Sequence, residues 1–180
     1  VNDDGVINEM DNTAIGGTFN PEIVYGFGFN MRYKNVDFGV FFQGNGRTYN
    51  VIGGENFYPG STDGAMGNIF ANYTDRWTAE NPSQDVFWPR LTSFKNNNNQ
   101  RSSTWWLRNM SSLRMKNIEL GYNFSKSLLP NFIQSARVYV SGSNLLQFSD
   151  FDLWDPEVGT TNGLKYPIMK SVSFGLNVSF

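Results

Sequence analysis

The chain has 180 residues and a net charge of −2, with no cysteine and no histidine. That balance offers no basic field for nucleic acid and excludes disulfides, thiolate chemistry, Cys-ligated zinc and the Ser-His-Asp triad. Enzyme chemistry is therefore not expected. Sixteen Phe, eight Tyr, five Trp and 18 Gly favour strands and turns over helices.

The opening, VNDDGVINEMDN, lacks the basic start and apolar stretch of a signal peptide. An exported chain of this kind is expected to be processed, or part of something longer. The same stretch resembles an EF-hand or dockerin-type calcium loop without its first residue. Asn2 and Asp4 take the third and fifth positions, Gly5 the sharp turn, Val6 the carbonyl position, Asn8 the ninth and Asp11 the twelfth. An Asp/Gly-rich turn in an extracellular loop explains it equally well.

The first strand is expected over about 22–33. In PEIVYGFGFNMRY, Ile23, Tyr25, Phe27, Phe29, Met31 and Tyr33 alternate with small or polar residues apart from Val24. Lys34-Asn35 suits a two-residue hairpin. The second strand (36–47) puts Val36, Phe38, Val40 and Phe42 on one face, with Phe41 an exception.

Residues 48–104 form a very long connection that contains Tyr49, Phe57, Tyr58, Trp77, Phe87 and Trp88, and Trp105 and Trp106 follow it. Flat aromatic rings in such a loop suit sugar stacking, so Trp77, Trp88, Trp105, Trp106 and, further on, Trp154 are candidate vestibule residues. Packing into a small loop core is the stronger expectation for any single ring. The run KNNNNQRSS (95–103) is expected to be a solvated tip.

The third strand (105–124) places Ile118, Leu120, Tyr122 and Phe124 opposite Glu119, Gly121 and Asn123, while Leu113 and Met115 fall on the other parity. A bulge near Lys116-Asn117 restores the phase, unless the upstream part lies beyond the apolar band. The fourth strand (136–148) sets Val138 and Val140 against Arg137, Tyr139, Ser141 and Ser143, with Asn144 out of place. A loop at 149–168 follows, in which Asp155 and Glu157 have no visible catalytic partner. The last strand (169–180) alternates Val172, Phe174, Leu176, Val178 and Phe180 with Ser, Gly and Asn.

Short connections at 34–35 and 125–135 alternate with long loops at 1–20, 48–104 and 149–168, the plan of an outer-membrane barrel. The expected fold is all-β: an antiparallel transmembrane barrel segment with long extracellular loops. Phe27, Phe29, Phe38, Val40, Leu120, Tyr122, Phe174, Leu176, Val178 and Phe180 face the membrane, and Arg32, Glu119 and Arg137 face the lumen. Two alternatives share the alternation: a soluble calcium-stabilised glycan-binding β-sandwich, and a small complete barrel or adhesin. The first needs a second sheet over the apolar face, the other an even number of strands.

The stretches VNDDGVIN, PEIVYGFGFNMRYKNVDFGVFFQG, NYTDRWTAENPSQDVFWPRL, STWWLRNMSSLRMKNIELGYNF, RVYVSGSNLLQFSDFDLWDPEV and YPIMKSVSFGLNVSF together resemble the C-terminal part of a SusC/RagA-type TonB-dependent outer-membrane transporter. The resemblance implies the last five strands of a barrel of about 22. It implies import of oligosaccharides or peptides, a SusD-like lipoprotein as lid, and energy from TonB through a plug region absent from these residues. A final aromatic on an amphipathic strand also resembles the signal read by outer-membrane assembly machinery. Outer-membrane lipid is then the solvent of one face, no nucleic acid is a partner, and calcium is the sole candidate cofactor.

Overall fold

A computed structural model describes residues 2–54, 56–59, 69–92 and 96–180. The strands among them are β1 (Ile23–Tyr33), β2 (Val36–Gly46), β3 (Tyr49–Val51), β4 (Leu107–Asn109), β5 (Ser112–Asn123), β6 (Ser135–Ser149) and β7 (Ser171–Ser179). Helical structure among the described residues is limited to short 3₁₀ turns, and no helix is long and apolar enough to cross a membrane. The residues divide into two compact units: Thr18–Tyr49, Asn109–Val158 and Tyr166–Phe180 form one, and Val1–Gly17, Asn50–Arg108 and Gly159–Lys165 form the other.

The first unit is one sheet with strand order β1-β2-β5-β6-β7, every pair antiparallel. Its register explains the alternation strand by strand. Across the sheet, Tyr33, Val36, Tyr122, Val138 and Leu176 lie side by side, and so do Met31, Phe38, Leu120, Val140 and Phe174. The third row is Phe29, Val40, Ile118, Gly142 and Val172. Side chains in one row share a face, so the expected apolar set becomes a continuous aromatic and aliphatic surface. Much of it is open: Phe174 is 84% exposed and Leu176 64%. Val40 is buried among its neighbours.

The opposite face carries the rows Asn30, Gly39, Glu119, Ser141, Ser173 and Arg32, Asp37, Gly121, Tyr139, Gly175. Phe41 belongs to this polar face, opposite Gly28 and Asn117. Its ring lies over Gly26 and Gly28, and a Cβ on Gly28 would strike the Val40 carbonyl and stand 3.1 Å from Phe41 Cα. Glycine therefore makes room for the aromatic that broke the pattern.

The phase change in β5 is a bulge. Lys116 has no partner in either neighbouring register, and both pairings step at this point, from Asn117 to Met115. On β6 the step skips Asn144 and Leu145. Asn144 takes a positive φ of 56°, and its side-chain amide donates to Met169 O at 3.2 Å. The bulge returns Met115 to the apolar row of Phe27, Phe42 and Leu146. It also turns Arg114 to the polar face opposite Gln43 and Gln147.

One strand limit differs clearly from expectation, and the first hairpin turn falls where expected. The third long strand begins at Ser112 and not at 105, because Trp105 and Trp106 turn aside and Leu107–Asn109 pairs instead with Tyr49–Val51. The β1–β2 turn is the two-residue Lys34-Asn35, with Lys34 at φ 53°. The sandwich reading lacks its second layer: among the described residues the other sheet is the short β3–β4 ribbon. The five-stranded sheet is open, with β1 and β7 at its edges.

The second unit is built around rings. Phe57, Trp88 and Trp106 are almost fully buried, with Ile52. Phe57 lies 5.2 Å from Trp88, 5.8 Å from Trp106 and 5.4 Å from Phe70, centroid to centroid. Each buried aromatic of this kind stabilises by about 1.5–3 kcal/mol. The cluster supplies the core that so long a connection requires.

Candidate functional site: a polar wall and a ring-built loop

The polar face holds two ionic networks. Near the β1–β2 turn, Arg137 pairs with Asp37 and, at 2.6 Å, with Glu119. Asn123 donates to the same Asp37 carboxylate at 2.6 Å. The Arg137 guanidinium stacks 4.9 Å from the Tyr139 ring, and that ring in turn occupies the space above Gly175. Of the three residues assigned to this face from sequence, Arg137 and Glu119 are brought together. Arg32 sits one row position from them, opposite Asp37.

At the other end of β5, the bulge positions Arg114 and Lys116 toward the β6–β7 loop. Arg114 Nη2 reaches both oxygens of Asp155 at 2.6 Å and Gln147 Oε1 at 2.8 Å. Lys116 Nζ donates to Glu157 Oε2 at 2.8 Å. Arg114 Nε lies 3.1 Å from that same oxygen but makes no hydrogen bond to it. The Arg114 side chain is only 2% exposed. The loop presents its two acids together because Asp155-Pro156-Glu157 enters a 3₁₀ turn at Pro156, with Glu157 N donating to Asp155 Oδ1 at 3.0 Å. The sequence showed Asp155 and Glu157 without a partner, and the partners are bases on a strand 41 residues away. The bulge was the available signal.

The candidate vestibule tryptophans divide by burial. Trp88 and Trp106 are each 1% exposed, and their indole N–H groups are used inside the loop, on Asn72 Oδ1 at 3.1 Å and Asn99 O at 2.8 Å. They are packed into the loop core. Trp77, Trp105 and Trp154 are half-buried. Trp77 has the Arg90 guanidinium 5.8 Å above its ring, and Trp154 meets Phe151 edge to face at 4.9 Å. The polar tip at 95–103 is less solvated than expected: Asn99 and Gln100 carbonyls accept from Trp106 and Tyr58. Lys95 lies outside the described residues. Burial raises the Tyr58 phenol above its ordinary value.

At the opening loop, Asp11 folds back so that its oxygens accept from Asn2 N and Asn8 N, both at 2.9 Å. Asp4 N donates to Asn2 Oδ1 at 3.2 Å, Val6 N to Asp4 Oδ1 at 2.7 Å and Met10 N to Asn8 Oδ1 at 2.7 Å. Gly5 supplies the turn at φ 80°. No three Asp, Glu, His or Cys side chains converge on a metal position among the described residues. A hard cation here would lean on the amide oxygens of Asn2 and Asn8 and the Val6 carbonyl beside Asp4 and Asp11, a donor set that suits calcium more than a transition metal.

An antiparallel sheet with one apolar face, one ion-paired polar face and long loops between its strands is the pattern of an outer-membrane β-barrel wall. Comparison with known proteins narrows the class. No family model matches the chain. It is 31% identical to the TonB-dependent receptor P26 of Formosa agariphila over 99% of its own length, and 31% identical to receptor P3 of the same organism over 98%. Among solved structures it is similar to the RagAB peptide importer in its closed-closed and open-open states, with TM-scores of 0.74 and 0.73, each at 29% identity over 93% of the chain. The chain belongs to the TonB-dependent receptors of the SusC/RagA type. It spans 19% and 18% of the length of the two receptors, and 18% of each importer chain.

Proposed function

We propose that these residues form part of the wall and outer vestibule of an outer-membrane importer of oligosaccharides or peptides. The importer is driven by TonB through a region outside this sequence and works with a SusD-like surface lipoprotein. The observation that carries this reading is the two-faced sheet. Phe27, Phe29, Phe38, Val40, Leu120, Tyr122, Phe174, Leu176 and Val178 are set to meet lipid, while Arg137, Glu119 and Arg114 are set to meet the lumen. The open edges, β1 and β7, find their partners in the remaining strands of a closed barrel, since unpaired backbone is not tolerated in hydrocarbon. The likeness to a peptide importer supports the partner and the solute class. Selection of the solute falls to the loops, and no bond chemistry is assigned to the chain. A calcium ion on Asn2, Asp4, Val6, Asn8 and Asp11 is part of this reading.

The test is uptake of labelled oligosaccharides and peptides by cells carrying the whole receptor, with and without TonB and the neighbouring lipoprotein. Uptake lost with either partner is the expected result. Uptake indifferent to TonB overturns the reading.

A further inference from the structure

A groove of about 430 Å³ opens in the loop unit between Asp75, Gln84, Asp85, Phe87, Trp105 and Arg108. Its walls are fixed by hydrogen bonds. Asp75 Oδ2 accepts from Phe87 N and Asp75 O from Trp88 N, both at 3.0 Å. The Trp105 indole donates to Phe87 O at 3.0 Å. The size lies within the range of small-molecule sites, and the fixed walls mean that little ordering is required when a ligand enters.

Arg108 is the unusual member. It is half-buried, its Nη1 is held by Trp105 O at 2.6 Å and Leu107 O at 3.2 Å, and its guanidinium lies 4.8 Å from the Phe87 ring centroid. Among the described residues no carboxylate comes within ion-pair distance of it, although Asp75 and Asp85 line the same groove. Burial therefore disfavours its charged form, and no anion among the described residues is paired with it to offset the cost. A guanidinium fixed in plane, with donors to spare, is the side chain best shaped for a carboxylate. Asp75 and Asp85, which line the same groove, would repel a bare anion, and together with Gln84 they can accept N–H or O–H groups. The ligand that satisfies both sides carries a carboxylate flanked by hydrogen-bond donors.

We propose that this groove is a solute subsite in which Arg108 takes a carboxylate and Asp75, Asp85 and Gln84 take the neighbouring N–H or O–H donors. The inference rests on the transport reading and narrows its solute to acidic or zwitterionic molecules. Two sources carry that chemistry, the C-terminus of a peptide and an acidic sugar.

Calorimetry on the whole detergent-extracted receptor separates them. The probes are a hexapeptide and its C-terminal amide, and an oligouronate and its carboxyl-reduced counterpart. In the unaltered receptor, removing the carboxylate from the true class weakens binding about tenfold or more, the effect of a lost charge-assisted hydrogen bond. In Arg108→Met that difference disappears. A difference within the peptide pair assigns a peptide, one within the sugar pair an acidic glycan. If R108M fails to assemble, Arg108→Gln, which keeps donors for the Trp105 carbonyl, carries the test. No carboxylate dependence in either pair, or a dependence unchanged by the substitution, overturns the proposal. The two readings fail separately: TonB-dependent uptake that ignores the carboxylate removes the subsite and leaves the importer.

Discussion

Arg114 on β5 and Asp155 in the β6–β7 loop are 41 residues apart in sequence, yet Arg114 Nη2 lies 2.6 Å from both oxygens of that carboxylate. With Glu157 and Lys116 beside them, the pair pins the turn at Pro156 against the polar side of the wall. Removing one member leaves a charge with 2% (Arg114) or 11% (Asp155) side-chain exposure uncompensated, which costs about 3–5 kcal/mol in buried pairs. Arg114→Met is therefore expected to lower the melting temperature of the whole receptor and to open residues 150–158 to added protease. Lys116→Met, at a 24% exposed position, should do so far less. The ranking is checked by limited proteolysis with mass mapping, and equal effects would refute the pin.

The register makes neighbouring positions behave oppositely. Leu120 lies between Phe38 and Val140 on the apolar face, while the residue beside Val140 in β6, Ser141, lies between Glu119 and Ser173 on the polar one. Leu120→Arg should cost about 2–4 kcal/mol in a lipid-facing band and reduce the folded receptor in the outer membrane. Ser141→Arg, which gains Glu119 as a neighbour, should assemble normally. Heat-modifiable migration on gels reads the folded fraction. A reversed order would place the faces the other way round.

Gly28 and Gly46 look alike in sequence and differ in surroundings. A Cβ at Gly28 would meet the Val40 carbonyl and the Phe41 backbone, whereas at Gly46 the nearest atom is Ile23 Cβ at 3.7 Å. Gly28→Ala should therefore destabilise by about 1–3 kcal/mol, the cost of overpacking, and Gly46→Ala hardly at all. Denaturant midpoints of the two variants settle the comparison.

The opening loop should respond to both protons and calcium. Hydrogen bonds from Asn8 N, then from Asn2 N, hold the Asp11 carboxyl below its ordinary value. A lowered carboxyl stabilises the fold fully above the unfolded value of about 4 and ceases to do so as pH falls through the folded value. The protection of the Asn2 and Asn8 amides, measured against their intrinsic exchange rates, should fall as pH drops through the lowered Asp11 value, and in Asp11→Asn that acid step should vanish. With calcium bound, chelation should lower the melting temperature of the unaltered receptor and leave D11N unmoved. Melting unaffected by chelation counts against the ion.

The five long strands, their faces and the bulge at Lys116 were legible because a strand repeats every two residues, so each break in the alternation had to correspond to something physical. Phe41 stood out only as an exception, which the structure explains by the glycines beneath its ring. The shifted parity of Leu113 and Met115 pointed to a bulge or to the end of the apolar band, of which the structure shows the bulge. The residues of the site were less legible. Trp88 and Trp105 look equivalent as letters, and only packing makes one a core ring and the other a groove wall. Arg108 gave no signal at all, since its distinction is that no carboxylate among the described residues is paired with it.

What the sequence determined by itself is local: period-two patterning, turn residues such as Lys34-Asn35, and the absence of histidine and cysteine. These act between neighbours along the chain and need no knowledge of what folds against them. What only the tertiary structure decided is which distant groups meet. Arg114 and Asp155, Arg137 and Asp37, and the rings around Phe57 are brought together by strand register and loop closure. Coulombic pairing and burial depend on distance in space, and one chain position says nothing about that until the sheet is assembled.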